Sequence, residues 1–176
     1  MINQLRKIYS RKSQAKRSDL AGEYPFNDLI QIILLIVFLI VWIADSFFLK
    51  LTTFAAQFFP VYLRITAGLL FLAGWVYLTG TALKIVFVEE RLPPSVIKKG
   101  PFAYIRHPIY LASILFYLGL TVFTFSIVSF LIVIVATFYY NFAADYEEKL
   151  LVKKYGREYE QYLAEVPKWF PPLSRP

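Results

Sequence analysis

The chain has 176 residues, 58% of them hydrophobic and only 18% charged, with a formal net charge of +7. Soluble domains carry about 45–50% apolar and about 25% charged residues, so the apolar excess, gathered in long runs, predicts one integral membrane domain rather than a soluble one. The lack of cysteine excludes disulfides, thiol nucleophiles and cysteine-ligated metal, a single histidine excludes a His-rich centre, and no carboxylates have magnesium or calcium spacing, so no metal site is predicted.

Residues 1–27 read as a basic arm, cytosolic or interfacial, carrying Arg6, Lys7, Arg11, Lys12, Lys16 and Arg17. Residues 28–176 read as a single membrane domain. Such an arm sets topology and meets anionic lipid. No folded basic domain accompanies it, which argues against nucleic acid as a partner. Its basic stretch and the spanning length of the next apolar run predict no cleaved signal peptide.

The first span is 29–49, enough for the roughly 20 residues a bilayer requires. Asp45 falls near its outer end and is expected to be solvated. A connector, 50–60, ends at Pro60. The second span, 61–88, would be roughly 42 Å long as a straight helix and must tilt or emerge into the headgroups. Arg64 and Lys84 mark its ends and are expected to snorkel. Gly68, Ala73 and Gly74 offer small surfaces for close helix packing.

The polar connector Glu89–His107 is broken at Pro93-Pro94 and again at Gly100-Pro101. Pro108 suits the first position of a helix, with His107 as its cap. The third span is short, 108–122. A turn near Thr124-Phe125-Ser126 leads to the fourth, about 127–147. It is apolar as far as Ala144, and its helix is predicted to continue to Tyr155. Gly156 suits a helix stop, with Lys153 and Lys154 in the last turn. The tail helix, about 156–166, places Tyr155, Tyr159, Tyr162 and Val166 at helical spacing. Pro167 ends it and Trp169-Phe170 follow. An aromatic stripe beside a membrane reads as an interfacial anchor, and such a helix can also roof a site.

The arm, the 89–107 connector and the tail hold nearly all the Lys and Arg, whereas the connectors at 50–60 and 123–126 hold one, Lys50. With four transmembrane helices all basic regions share one side, so both termini are expected in the cytoplasm. The fold class is therefore all-α and integral to the membrane, with a C-terminal helical hairpin and an amphipathic tail helix.

About the turn near residue 124, His107 and Glu147-Glu148 face the same compartment. The glutamates lie roughly 9 Å further out if both helices are straight, an offset that suits an extended polar ligand. Arg106 and His107 also read as plain interface residues, and the glutamates as a solvated face. A solvated face usually pairs with lysine three or four residues on. Those positions hold Leu150, Leu151 and Val152, so both charges need partners elsewhere. Neighbours on a helix point about 100° apart. One glutamate is then expected to face a ligand while the other pairs with Arg106.

The run G-P-F-A-Y-I-R-H-P-I-Y, the apolar hairpin and E-E-K-L-L-V-K-K-Y-G-R-E-Y-E-Q-Y-L-A-E-V-P resemble the isoprenylcysteine carboxyl methyltransferase and phospholipid methyltransferase superfamily over residues 95–171. The resemblance implies S-adenosyl-L-methionine as cofactor at the cytoplasmic face. It implies a pocket lined by the strand-like run Val96, Ile97 and Lys98, then Gly100, Phe102, His107, Pro108, Ile109, Tyr110 and Glu147. Arg106, His107 and Glu148 are the implied catalytic set. Phe102 stands where the family often has tyrosine. The isoprenylcysteine enzymes often carry an arginine one turn before the first glutamate, and here that position is Ala143. The implied reaction is methyl transfer to a lipophilic or small acceptor: an isoprenylcysteine carboxylate, a phospholipid amine or a thiol. Membrane lipids are the implied partners. A similar core in membrane sterol reductases leaves an NADPH-dependent enzyme as an alternative, and a non-catalytic membrane protein as another.

Overall fold

The computed structural model describes residues 26–88 and 95–170. Residues 1–25 of the basic arm and the Pro93-Pro94 break lie outside the described residues, and Asn27, counted in the arm, already begins a helix. All regular structure among them is helical. The helices are α1 (Asn27–Ile43), α2 (Val61–Leu83), α3 (Pro108–Thr124), α4 (Ile127–Tyr155) and α5 (Arg157–Glu165). Wider π turns extend α1 over Ala44–Leu49 and α2 over Lys84–Val88. Short 3-10 turns occupy Phe54–Phe58 and Gly100–Ala103.

Three helical stretches, Asn27–Leu49, Val61–Phe87 and Ile127–Tyr155, are long and apolar enough to cross a membrane, and Pro108–Thr124 is a shorter apolar helix. Their outward faces expose large side chains such as Leu70, Tyr77 and Phe138, the surface expected of helices bathed in lipid. The protein is integral to the membrane. Its α4 is longer than a bilayer core requires: 29 residues make about 43 Å against a hydrocarbon thickness of about 30 Å. Its apolar part ends at Ala144. The last turns carry Asp145, Glu147, Glu148, Lys149, Lys153 and Lys154, more charge than a hydrocarbon core accommodates.

The described residues divide into two compact units, one of 26–77 and 110–144, the other of 78–88, 95–109 and 145–170. The first unit is an apolar bundle with a few deliberate polar ties. Gly68 lets α2 and α3 approach closely: a Cβ there would fall 2.3 Å from the Phe123 ring. Asn27, buried at the start of α1, donates to the Tyr110 hydroxyl at 3.1 Å and accepts from the Tyr139 hydroxyl at 2.7 Å.

Asp45 is not solvated, contrary to expectation, and is only 4% exposed. Its carboxylate accepts from the Thr52 amide at 3.0 Å, the Thr52 hydroxyl at 2.6 Å and the Ser126 hydroxyl at 2.6 Å. Ser126 in turn accepts the Ser129 amide at 3.3 Å, which caps α4. The Ile127 amide donates to the Thr52 carbonyl. Donors 7 and 81 residues away replace the water that chain position alone suggested. Arg64 likewise turns inward: its Nη1 donates to the Phe123 carbonyl at 3.0 Å, at the end of α3, where a cation is favoured.

Asp45→Ala strands the Thr52 and Ser126 donors. The expected loss is about 2–4 kcal/mol of stability, with a smaller loss for Ser126→Ala. Thermal unfolding in detergent checks it, and an unchanged midpoint for Asp45→Ala contradicts the structural role.

Candidate functional site

The predicted site residues other than Tyr110 fall in the second unit, where the 95–109 segment meets the polar end of α4 and the tail. The segment is shaped at Gly100. Its φ of 58° lies in the left-handed region, which side chains other than glycine rarely adopt. A Cβ there would also sit 2.5 Å from the Ile85 side chain. Pro101 opens the 3-10 turn, and its carbonyl accepts the Tyr104 and Ile105 amides at 3.1 and 3.0 Å. Arg106 and His107 follow, and Pro108 begins α3.

The Val96-Ile97-Lys98 run forms no strand. It has no regular structure and no sheet partner among the described residues. The Val96 amide donates instead to the Glu158 carboxylate at 3.0 Å. A run of this length reads as strand on side-chain type, but pairing needs a second strand, and here a helix supplies the acceptor.

At the other side α4 ends at Tyr155, and Gly156, with φ 53°, reverses the chain into α5. The stripe Tyr159, Tyr162 and Val166 is buried and packs with Val96, Leu151, Val152, Tyr155 and Leu163. This corrects the reading of the stripe as a membrane anchor. Its tyrosines face the protein, and the Tyr162 hydroxyl donates to the Phe102 carbonyl at 2.7 Å. Burial drives both hydroxyls well above the usual tyrosine range. Lys98 and Glu165 add a looser ion pair at 3.9 Å.

Arg106 ties the two sides together. Its Nε donates to Glu148 Oε1 at 2.9 Å. Its Nη1 donates to the Leu163 and Val166 carbonyls at 3.1 and 2.6 Å, at the end of α5. Its own amide donates to the Pro167 carbonyl at 3.0 Å. His107, which is buried, donates from Nε2 to the same Glu148 oxygen at 2.9 Å, while Nδ1 lies 3.6 Å from Glu147 Oε2. The expected pairing of one glutamate with Arg106 is what the structure shows, and the paired one is Glu148. Burial alone would raise its carboxyl, but the His107 hydrogen bond and the charges of His107 and Arg106 hold it below the usual carboxylate range. Glu147 is the more open of the two, its side chain 29% exposed against 13% for Glu148.

The offset of roughly 9 Å anticipated between histidine and glutamates does not separate their side chains, because His107 reaches both. Long helical side chains lean back toward the helix N-terminus, and the glutamates thereby recover the distance. Phe102 and Ile109 are half-buried and Pro108 is buried. Tyr110 belongs to the other unit, where its ring stacks on Tyr140 at 5.4 Å. Trp169 was read only as part of an anchor. Its ring centroid lies 6.1 Å from that of His107, and the neighbouring Lys168 pairs with Asp145. Helical spacing gave no signal for it, because it follows the helix-ending Pro167.

The described residues combine apolar helices of spanning length with a cluster of histidine, arginine and paired carboxylates. This is the make-up of a polytopic membrane enzyme. Residues 65–158 match the model of the phospholipid methyltransferase family. The match covers more than half of the chain, which belongs to that family, within the superfamily that includes the isoprenylcysteine carboxyl methyltransferases. The protein is a membrane methyltransferase. No curated protein and no solved structure matches the chain. The matched stretch includes the 96–110 segment and both glutamates and ends in the first turn of α5, so Trp169 lies beyond it.

The depressed Glu148 carboxyl makes a pH prediction. A group whose pKa is lower in the folded state contributes stability above its unfolded value, and loses it as pH falls through the folded one. Docking of α5 should therefore hold above the ordinary glutamate value of 4.5 and weaken progressively as pH falls below it. Amide exchange across residues 157–165, corrected for intrinsic rate, reads this. Glu148→Gln should abolish the acid step and raise exchange at neutral pH.

Proposed function

We propose that the protein uses S-adenosyl-L-methionine to methylate the amine of a phospholipid headgroup, at a site on the cytoplasmic face. The observation that carries this reading is the junction of His107 with both glutamates, inside the stretch that matches the phospholipid methyltransferase family. The basic regions favour a cytoplasmic face by the positive-inside rule.

The residues present fit the cofactor by charge. Glu147 is a carboxylate open enough to meet the cofactor's ammonium or ribose hydroxyls, through charge-assisted hydrogen bonds. The first turn of α3, the positive end of that helix, suits a ligand carboxylate. The 95–102 segment supplies the wall, with Phe102 in the place the family often gives to tyrosine. Bound there, the cofactor supplies an electrophilic methyl group on a sulfonium.

Displacement of this kind asks the protein for alignment more than for covalent help. His107 and Glu147 are the residues to touch ligand. An ammonium acceptor must lose a proton before it can attack, and the Nδ1–Glu147 side of His107 is where that proton is taken. Arg106 and Glu148 act one step back. Glu148 fixes the ring from Nε2, and Arg106 fixes Glu148 and the tail.

The test is purified full-length protein in phosphatidylethanolamine nanodiscs with methyl-labelled S-adenosyl-L-methionine. Label should pass to lipid, and His107→Ala or Glu147→Ala should cut transfer by at least about a hundredfold. Binding without lipid labelling overturns the phospholipid acceptor. No binding, with NADPH bound instead, favours the reductase reading. The chain has no native cysteine, so one introduced at Lys99 reports the sidedness. It should react with an impermeant thiol reagent only from the cytoplasmic face.

A further inference from the structure

We propose that a cleft among α1, α2, α3 and α4 holds one chain of a diacyl lipid by its ester carbonyl, with Gln31 as the donor. The proposal is independent of the methyl-transfer reading, and every residue it uses belongs to the first unit.

The cleft has a volume of about 240 Å³. Pockets for drug-sized ligands run from about 300 to 1,000 Å³, so a slender occupant suits it better than a bulky one. Gln31 and Leu35 line it from α1, Trp75 from α2, Ser113 and Tyr117 from α3, and Tyr140 from α4. Trp75 packs on Phe116 of α3, and Phe38 of α1 packs on Tyr117, which fixes the walls. Tyr117 and Tyr140 are buried, whereas Ile32, also in the lining, is 53% exposed. The cleft therefore runs from the core of the bundle to its outward surface.

Its polar groups divide into two kinds. The hydroxyls bond among themselves: Tyr140 is hydrogen-bonded to Tyr117 and to Ser113. The side chains of Gln31 and Trp75 have no hydrogen-bond partner among the described residues. An unpaired amide is unfavourable in hydrocarbon, where no water replaces the missing partner. Each of the two carries a donor, so both are complementary to an occupant that brings an acceptor.

Depth selects the acceptor. The apolar stretch Asn27–Leu49 has 23 residues, about 34 Å of helix against a hydrocarbon core of about 30 Å. A helix that fills the core places Asn27 near one boundary, and the hydrogen bond from Asn27 to Tyr110 brings the start of α3 to the same level. Gln31 lies one turn further in, and helical side chains lean back toward the N-terminus. Its amide is thus directed to the level where acyl chains join the headgroup. Ester carbonyls are the acceptors a glycerolipid carries there, and the chain below them matches the apolar, narrow remainder of the cleft.

The experiment is native mass spectrometry of the full-length protein in detergent. It is offered equal amounts of an ester-linked phosphatidylglycerol and its deuterated ether-linked analogue with the same chains. This headgroup has no amine to methylate, so retention is read apart from the proposed reaction. Wild type should retain the ester lipid about fivefold over the ether lipid, and Gln31→Leu should bring the two to parity. Leu35→Phe, which narrows the cleft, should reduce retention of both. Val37→Phe, at an exposed residue outside the lining, should match wild type. Elution as a single species on size exclusion establishes that each variant is folded. No retained lipid, or equal retention of the two lipids by wild type, overturns the proposal, as does a preference that survives Gln31→Leu. Adducts unchanged by Leu35→Phe put the lipid elsewhere on the surface and overturn it too. A dimer that Gln31→Leu dissociates gives the cleft to a second copy of the chain, and the lipid proposal is then wrong.

Discussion

Glu148 is the charge around which the C-terminal lobe closes. A carboxylate that gives up most of its water must find donors that cost less than the hydration it loses. Here one oxygen takes two, the Arg106 Nε and the His107 Nε2. Removing either donor leaves a partly buried charge with half its support. That asymmetry explains why Arg106 is also spent on the end of α5 and on Pro167. The same guanidinium that satisfies the carboxylate fixes the segment that encloses it, so pairing and folding of the tail are one event. A lysine could neutralise Glu148 but lacks the planar fork that reaches three acceptors together.

Asp45 follows the same physics in the other unit with a different result. Its donors are hydroxyls and an amide, so it joins two turns without any cation. Charge in an apolar setting becomes a fastening wherever the chain can bring donors to it. The difference lies in what remains accessible. Nothing at Asp45 suggests a ligand, because its polar neighbours cap a helix and close a loop. Beside Glu148 stand a second, more open carboxylate and a histidine that touches both.

These partners explain what could be read in advance. Spanning helices were legible because length and apolarity are local. Pro108 as a helix start, the stop at Gly156 and the turn at Phe125-Ser126 were legible for the same reason. The pairing of one glutamate with Arg106 was legible by elimination, since α4 offers it no cation nearby. Asp45 was misread because Ser126 stands 81 residues away. The Val96-Ile97-Lys98 run was misread because Glu158, its partner, is 62 residues away. The tyrosine stripe was assigned to the wrong neighbour: helical spacing shows that a face is apolar, but not whether lipid or protein covers it. Trp169 left no periodic signal at all.

Ala143 bears on the acceptor. Isoprenylcysteine enzymes resembling this chain often have an arginine there, one turn before the first glutamate. In this protein Ala143 is 1% exposed and adjoins the fully buried Ala144. A guanidinium at that position would need both space and a counter-charge inside the apolar bundle, and burying it without a partner costs several kcal/mol. The packing around Ala143 is therefore built for a small side chain, not for an arginine that has been lost by a single change. A carboxylate acceptor, which such an arginine would hold, has no equivalent recognition group at this point of α4. An amine, the acceptor proposed above, does not call for a guanidinium there. The small residue at this buried position thus fits the amine acceptor proposed above better than a carboxylate one.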